Sequence, residues 1–433
     1  MTKIIPSGRH AMFQADVHAR LHESITGEHG EEHKRIATAI RRRAFRMLGD
    51  GHAPADHIQK IDGREIRRIA VFRYDALGDY IVTTPLLRWL RSALPEARID
   101  IMASQRNAGL VSADPFIDRH YILHDRRTLL HRTLPWALRE IGPRDYDLVF
   151  ALPTNRMTRC ALLARMIGPR AEKITLQHGP RRDIYGQVFH RQLNRPAGLE
   201  HWAETFLRMA TETILPVETP FAGGCRPYLV ISEQGWRQAN NFMKNEGLGR
   251  EEPGRDLVPE RGWSGGGPVA FQGDPYCVVN ISAHCSERQW SPERCAEFCR
   301  ELIRQRPELR LYVTGAATDM EDIRRTVDLV RHWSCRALVM GLSGFIGFVA
   351  GASLVISPDT ATVHIAAAAG RPVVGLYAED IKAAEWFPYG TPFTVLVSPS
   401  EESINLIEPE TIVEAACALL RKAEAPREPV PVS

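Results

Sequence analysis

Residues 353–378 read SLVISPDTATVHIAAAAGRPVVGLYA. The opening SLVIS is an uncharged, β-branched run of strand length that ends at Pro358 and Asp359. TATVHIAAAAG has the composition of a short buried helix, and Gly370 supplies the residue that closes it. RPVVGLYA is a second apolar strand. Strand, crossover helix and strand in this order predict a parallel βαβ unit covered on both faces. In such sheets ligands gather outside the carboxyl ends of the strands, and Asp359 falls there.

The same rhythm extends upstream. YCVVNI (276–281) is a strand, and SPERCAEFCRELIRQR a helix with Ser291 at N-cap and Pro292 at N1. LRLYVTGA is a strand, and TDMEDIRRTVDLV opens on a capping box of Thr318 with Glu321. Residues 337–358 carry no charge over 22 positions, a length that could span a bilayer. Four glycines and three serines divide that stretch into strand, short helix and strand, so a buried βαβ segment is expected. A second alternating series begins at IRRIAVFRY (66–74) and continues through YIVTTPLLRWLRSAL, ARIDIMAS, YDLVFALP and TRCALLARMIG. The expectation is α/β, with two Rossmann-like domains facing a cleft and a helical N-terminal extension. The expected division is an extension over 1–65, a first domain over 66–244 and a Gly/Pro-dense linker or insertion over 245–275. A second domain over 276–423 and a tail over 424–433 complete it.

Composition narrows the function. The 433 residues hold 55 basic and 52 acidic side chains, a net charge of +3, which gives no case for a nucleic-acid binder. Eight cysteines include no CxxC pair, and Cys285, Cys295 and Cys299 lack zinc-site spacing, so free thiols are expected and no metal. The first 30 residues contain no signal-type apolar segment. Residues 34–48 set Arg41, Arg42, Arg43 and Arg46 beside a stripe of Ile36, Ile40, Ala44 and Met47. Such an arm either packs on the first domain or is drawn to an anionic membrane surface.

Three motifs sit at strand tips. In SPDTATVHIAAAAG the amides of Thr360, Ala361, Thr362 and Val363 begin a helix, an arrangement suited to phosphate. Thr360 and Thr362 add hydroxyls, His364 lies one turn in, and Asp359 suits sugar hydroxyls; an N-cap Asp is the plainer alternative. In NISAHCSERQWSP, Ser282, His284 and Ser286 are candidate donors, and Arg288 can neutralise a diphosphate. In RYDALGDY, Gly78 allows close backbone approach, and Asp79 is placed to take a proton from an attacking hydroxyl, with Asp75 a competitor.

The order of these motifs resembles glycosyltransferase family 9, the bacterial heptosyltransferases of the lipopolysaccharide inner core. The likeness runs from about Arg68 to Ala423. The family's Gly-Asp turn is ALGD here, and its Lys-x-Trp-Pro loop is ERQWSP, with Arg288 for Lys and Ser291 inserted before Pro292. Its Asp-Thr-Gly-x-x-His element is DTATVH, with Ala361 for Gly, and WFPYG (386–390) stands where the family has WGPYG. The resemblance implies a GT-B fold, an inverting mechanism with no essential metal or cofactor, and Asp79 as general base. It assigns the donor site to His284, Arg288, Asp359, Thr360, Ala361, Thr362 and His364. Asn155 and Arg156, past the YDLVFALP strand, are candidates for an anionic acceptor. The expected function is sugar transfer, heptose being one candidate, from a nucleotide-diphosphate donor to lipopolysaccharide or another envelope glycan, lipid-linked, in the cytoplasm or on the inner membrane face. The alternatives are a nucleotide-sugar epimerase and a non-catalytic sugar-nucleotide-binding protein.

Overall fold

The computed structural model describes residues 1–11, 13–14, 17, 42–43, 45, 59–123, 133–152, 157–177, 182–194, 199–219, 226–248 and 274–424. Asn155, Arg156 and most of the 34–48 arm lie outside these residues. The described chain divides into two compact units: Met1–Val17 with everything from Pro227 onward, and the residues between, up to Arg226.

The intervening unit, here the first half, is a six-stranded sheet built on β1 (Arg68–Phe72), β2 (Arg98–Ala103), β3 (Arg119–Ile122), β4 (Leu148–Ala151), β5 (Glu172–Leu176) and β6 (Arg191–Leu193). All pairings are parallel, and the order is β3-β2-β1-β4-β5-β6. Helices α1 (Leu77–Ala93) and α2 (Met157–Ile167) are among the connections, and α3 (Trp202–Thr213) follows β6. Helix α1 carries Pro85 in its interior, which removes the partner of the Ile81 carbonyl. The Thr84 hydroxyl donates to that carbonyl at 2.7 Å, so the buried acceptor is satisfied.

The second half repeats the plan. Helix α4 (Glu233–Asn245) precedes β7 (Tyr276–Asn280), α5 (Pro292–Gln305), β8 (Arg310–Thr314), α6 (Met320–Val330) and β9 (Cys335–Leu338). Then come α7 (Leu342–Gly351), β10 (Leu354–Pro358), α8 (Ala361–Ala368), β11 (Val373–Tyr377), α9 (Asp380–Glu385), β12 (Phe393–Val397) and α10 (Pro409–Glu424). The parallel strands run β9-β8-β7-β10-β11-β12, the same order as in the first half. In both sheets the chain direction across the sheet reverses between the first and fourth strands, the switch point where doubly wound folds bind ligands. Strands β7, β10, β11 and β12 are buried at every residue, which explains their continuous apolar runs. Each large apolar side chain so buried contributes about 1.5–3 kcal/mol.

The uncharged stretch at 337–358 resolves as the end of β9, the ten-residue α7 and β10. Among the described residues no helix is long and apolar enough to cross a membrane. Gly370 closes α8 with φ +71°, and Ser291 Oγ caps α5 by accepting from the Arg294 amide. The Thr318–Glu321 capping box does not form. A short 3-10 turn, Ala317–Asp319, precedes α6, and the Thr318 hydroxyl donates instead to Asp319 at 3.1 Å.

Two boundaries differ from the expected division. Residues 227–248 belong to the second half, because α4 packs on α7 through glycines. A Cβ on Gly235 would stand 2.4 Å from the Ser343 carbonyl, and one on Gly347 2.9 Å from the Gly235 carbonyl. The first 17 residues also join the second half and are not wholly helical. Lys3–Pro6 is an edge strand antiparallel to β12, paired from Lys3 with Val397 to Pro6 with Thr394. His10 anchors it: its ring centroid lies 3.7 Å from that of Phe387, and its Nε2 bonds the Ala383 carbonyl at 2.9 Å. A four-residue strand has little local signature; pairing along an open sheet edge defines it.

Candidate active site

In the first half, the RYDALGDY turn brings three charged side chains to the end of β1. Asp79 sits in the first turn of α1, where its Oδ2 accepts the Ala76 amide at 2.8 Å. The structural role, a carboxylate at a helix start, is therefore real. Asp79 is also held from behind by Arg73, whose side chain is fully buried. Arg73 Nε donates to the Asp79 carbonyl at 2.9 Å and Nη2 to Asp79 Oδ1 at 3.2 Å. Its Nη1 reaches Asp75 Oδ2 at 3.2 Å and the Leu152 carbonyl, just past β4, at 2.9 Å. The guanidinium lies over the Phe206 ring at 4.6 Å. Arg73 thus links the ends of β1 and β4 across the switch point. Sequence reading passed over it, although a basic residue leading into two closely spaced acids was the available signal.

In the second half, the corresponding link is Asn280 at the end of β7. Its Nδ2 donates to the Ser282 carbonyl at 3.1 Å, to Ser357 Oγ at 3.1 Å and to Thr360 Oγ1 at 3.2 Å. Those partners tie the end of β7 to the β10–α8 turn. Thr360 is the N-cap of α8, accepting from the Thr362 amide at 3.3 Å, and its carbonyl accepts from the Val363 amide at 3.1 Å. Two of the four amides expected to be open to phosphate are therefore engaged by the cap itself. Ala361 is half-buried, while Thr362 and His364 are buried, His364 edge-on to Trp386 at 6.0 Å. The residues of DTATVH and WFPYG, apart in sequence, meet here.

Arg288 lies at the end of a short 3-10 turn, Ser286–Arg288, and reaches Asp359. Nη1 donates to Asp359 Oδ2 at 2.8 Å and to its carbonyl at 3.1 Å, and Nε donates to Cys285 Sγ at 3.1 Å. Burial pushes the Asp359 carboxyl above its usual range, against the pull of Arg288. Burial alone would depress the Arg288 guanidinium, but Cys285 and Asp359 hold it above its usual value. The structure brings Arg288, Asp359, Thr360 and Thr362 together at one strand tip; Asp359, expected to face sugar hydroxyls, here orients the cation. His284 is exposed on the same loop. Ser282 is turned inward, its Oγ accepting the Ala316 amide at 2.8 Å. The matching Trp290 packs on Phe298 in the core, with ring centroids 5.3 Å apart. Among the described residues no group of His, Cys, Asp and Glu is arranged to hold a metal ion. Cys295, Cys299 and Cys335 lie in the hydrophobic core as free thiols.

Known proteins share this fold. The crystal structure of a family 9 glycosyl transferase from Veillonella parvula matches with a TM-score of 0.67 at 19% identity, covering 84% of this chain and 99% of that one. The Escherichia coli ADP-heptose lipopolysaccharide heptosyltransferase II matches with a TM-score of 0.60 at 20% identity, covering 83% and 100%. In sequence, lipopolysaccharide heptosyltransferase 3 of Escherichia coli is 20% identical over 320 residues, 69% of this chain and 80% of that protein. The fold is therefore the GT-B fold of nucleotide-sugar-dependent glycosyltransferases. Residues 137–414 match the model of glycosyltransferase family 9 (heptosyltransferase); the chain belongs to that family and is a glycosyltransferase.

Proposed function

We propose that this enzyme transfers a heptose from ADP-heptose to the core of a lipid-linked lipopolysaccharide, with inversion at the anomeric carbon. The supporting observation is the chemistry of the two switch points: a helix-start carboxylate, Asp79, in one half, and a guanidinium beside a Thr-capped helix in the other. Asp79 takes the proton of the acceptor hydroxyl as its oxygen attacks the anomeric carbon. The bond from that carbon to the diphosphate breaks, and Arg288 meets the charge that develops on the leaving group. Thr360, Ala361, Thr362, His364 and the exposed His284 complete the donor site. The charge balance needs no metal ion in this reading. Relatives named for lipopolysaccharide heptosyl transfer support the donor and acceptor classes.

In this reading the reaction runs in the cytoplasm, on the inner face of the membrane that holds the acceptor. In the arginine-rich arm Arg43 is exposed, as attraction to an anionic surface requires, while the burial of Phe45 against Tyr185 in the first half's core fits the alternative in which the arm packs there. The test pairs a thermal-shift panel of ADP-, GDP- and UDP-sugars with product analysis on heptose-deficient lipopolysaccharide. ADP-heptose should stabilise the protein, by about 2.7 kcal/mol at 100 times its Kd, and heptose should appear on the acceptor in the presence of chelator. A changed free nucleotide sugar without acceptor, or binding without turnover, would overturn the reading in favour of an epimerase or a binding protein.

A further inference from the structure

We propose that Arg73 is the positioning residue for the catalytic carboxylate, acting through Asp79 and never on substrate; this rests on the reading of Asp79 as the base. Arg73 is fully buried, so it is shielded from any ligand. Its planar fork spans two acceptors on one residue, the carbonyl and Oδ1 of Asp79, and so fixes the backbone and the side chain together. Asp79 Oδ2 is fixed separately by the Ala76 amide. Both carboxylate oxygens are thereby oriented, yet each keeps a further lone-pair direction for an incoming hydroxyl. The far end of the guanidinium is locked by the Leu152 carbonyl and by Phe206, so the position of Asp79 is referred to the end of β4. Asp75 shares Nη1.

A lysine retains the charge but presents a compact ammonium without the fork. A methionine of similar length removes both. The experiment measures kcat and KM of the full chain with ADP-heptose and heptose-deficient lipopolysaccharide for Arg73→Met, Arg73→Lys, Asp79→Asn and the double variant Arg73→Met/Asp79→Asn. A misplacement of about 1 Å can reduce turnover about 100-fold, and that loss of kcat is expected for Arg73→Met with the donor KM nearly unchanged. Arg73→Lys should recover part of the loss. The double variant should be no slower than Asp79→Asn alone, because groups acting as a unit are not additive. Losses that multiply in the double variant, or wild-type kcat in Arg73→Met, overturn the proposal. Should Arg73→Met fail to fold, Arg73→Lys carries the test: a kcat loss of its own that vanishes in the Asp79→Asn background supports the proposal, and wild-type kcat or an additive loss rejects it. Wild-type kcat in Asp79→Asn is a different failure, which removes the base assignment and this proposal with it; a slow Asp79→Asn beside a fast Arg73→Met removes only this proposal.

Discussion

At the switch point of the first sheet the side chain joining the two strand ends is a guanidinium, Arg73; at the second it is an amide, Asn280. The geometry of the task is the same, since each spans from the tip of a first strand to the tip of a fourth. The electrostatics differ. A buried cation needs counter-charge, and Arg73 has two, Asp75 and Asp79. An amide needs only acceptors, and Asn280 finds a carbonyl and two hydroxyls. The first half is thereby committed to carrying carboxylates at its tip. The second keeps a neutral link, and its cation, Arg288, is half-buried at the surface of the loop, where an anion can reach it.

The contrast breaks most directly at Asp79. Asp79→Asn should lower kcat by about 10²–10⁴-fold while nucleoside-diphosphate affinity, measured by calorimetry, stays put. If binding falls instead, proton chemistry and donor binding are not divided between the halves. Next in size is a pH effect confined to the second half. Burial lowers the His10 pKa to about 4 from 6.5. The unfolded chain then binds more protons between those values, so stability is full above about pH 6.5 and is lost as pH falls towards 4. The loss approaches roughly 3 kcal/mol at about 1.36 kcal/mol per unit. His10→Phe should flatten that part of the pH–stability profile, and a slope that survives would place the acid-sensitive group elsewhere.

Arg288→Ala removes the cation and leaves the buried Asp359 without it. Calorimetry with a nucleoside diphosphate should show a loss of about 1.5–3 kcal/mol, the range for hydrogen bonds to charged groups; unchanged affinity would mean that the guanidinium serves only to neutralise Asp359. The smallest change is expected at the neutral link. Asn280→Ala strips hydrogen bonds from Ser357 and Thr360, and denaturant unfolding should report about 1–3 kcal/mol less stability. A larger loss than that seen for Arg73→Met would invert the comparison, since the charged link would then be the weaker one.

The sequence determined a good deal of this. Alternating apolar strands and helices gave both Rossmann-like halves, because a strand buried on both faces must be continuously apolar and its helices must carry their own period. Local chemistry likewise announced the Ser291 cap, the Gly370 closure and the Asp79 and Asp359 tips, since caps and tight turns restrict residue types within a few positions. Tertiary structure alone decided the rest. It ran Lys3–Pro6 along β12, set α4 against α7, turned Ser282 inward, and spent two α8 amides on the Thr360 cap. It also chose Arg73 and Asn280 as the links across the switch points, and paired Arg288 with Asp359 across 71 positions. Those contacts join groups far apart along the chain. Their partners are selected by which strand tips become neighbours, a property of sheet order that no local window of sequence contains.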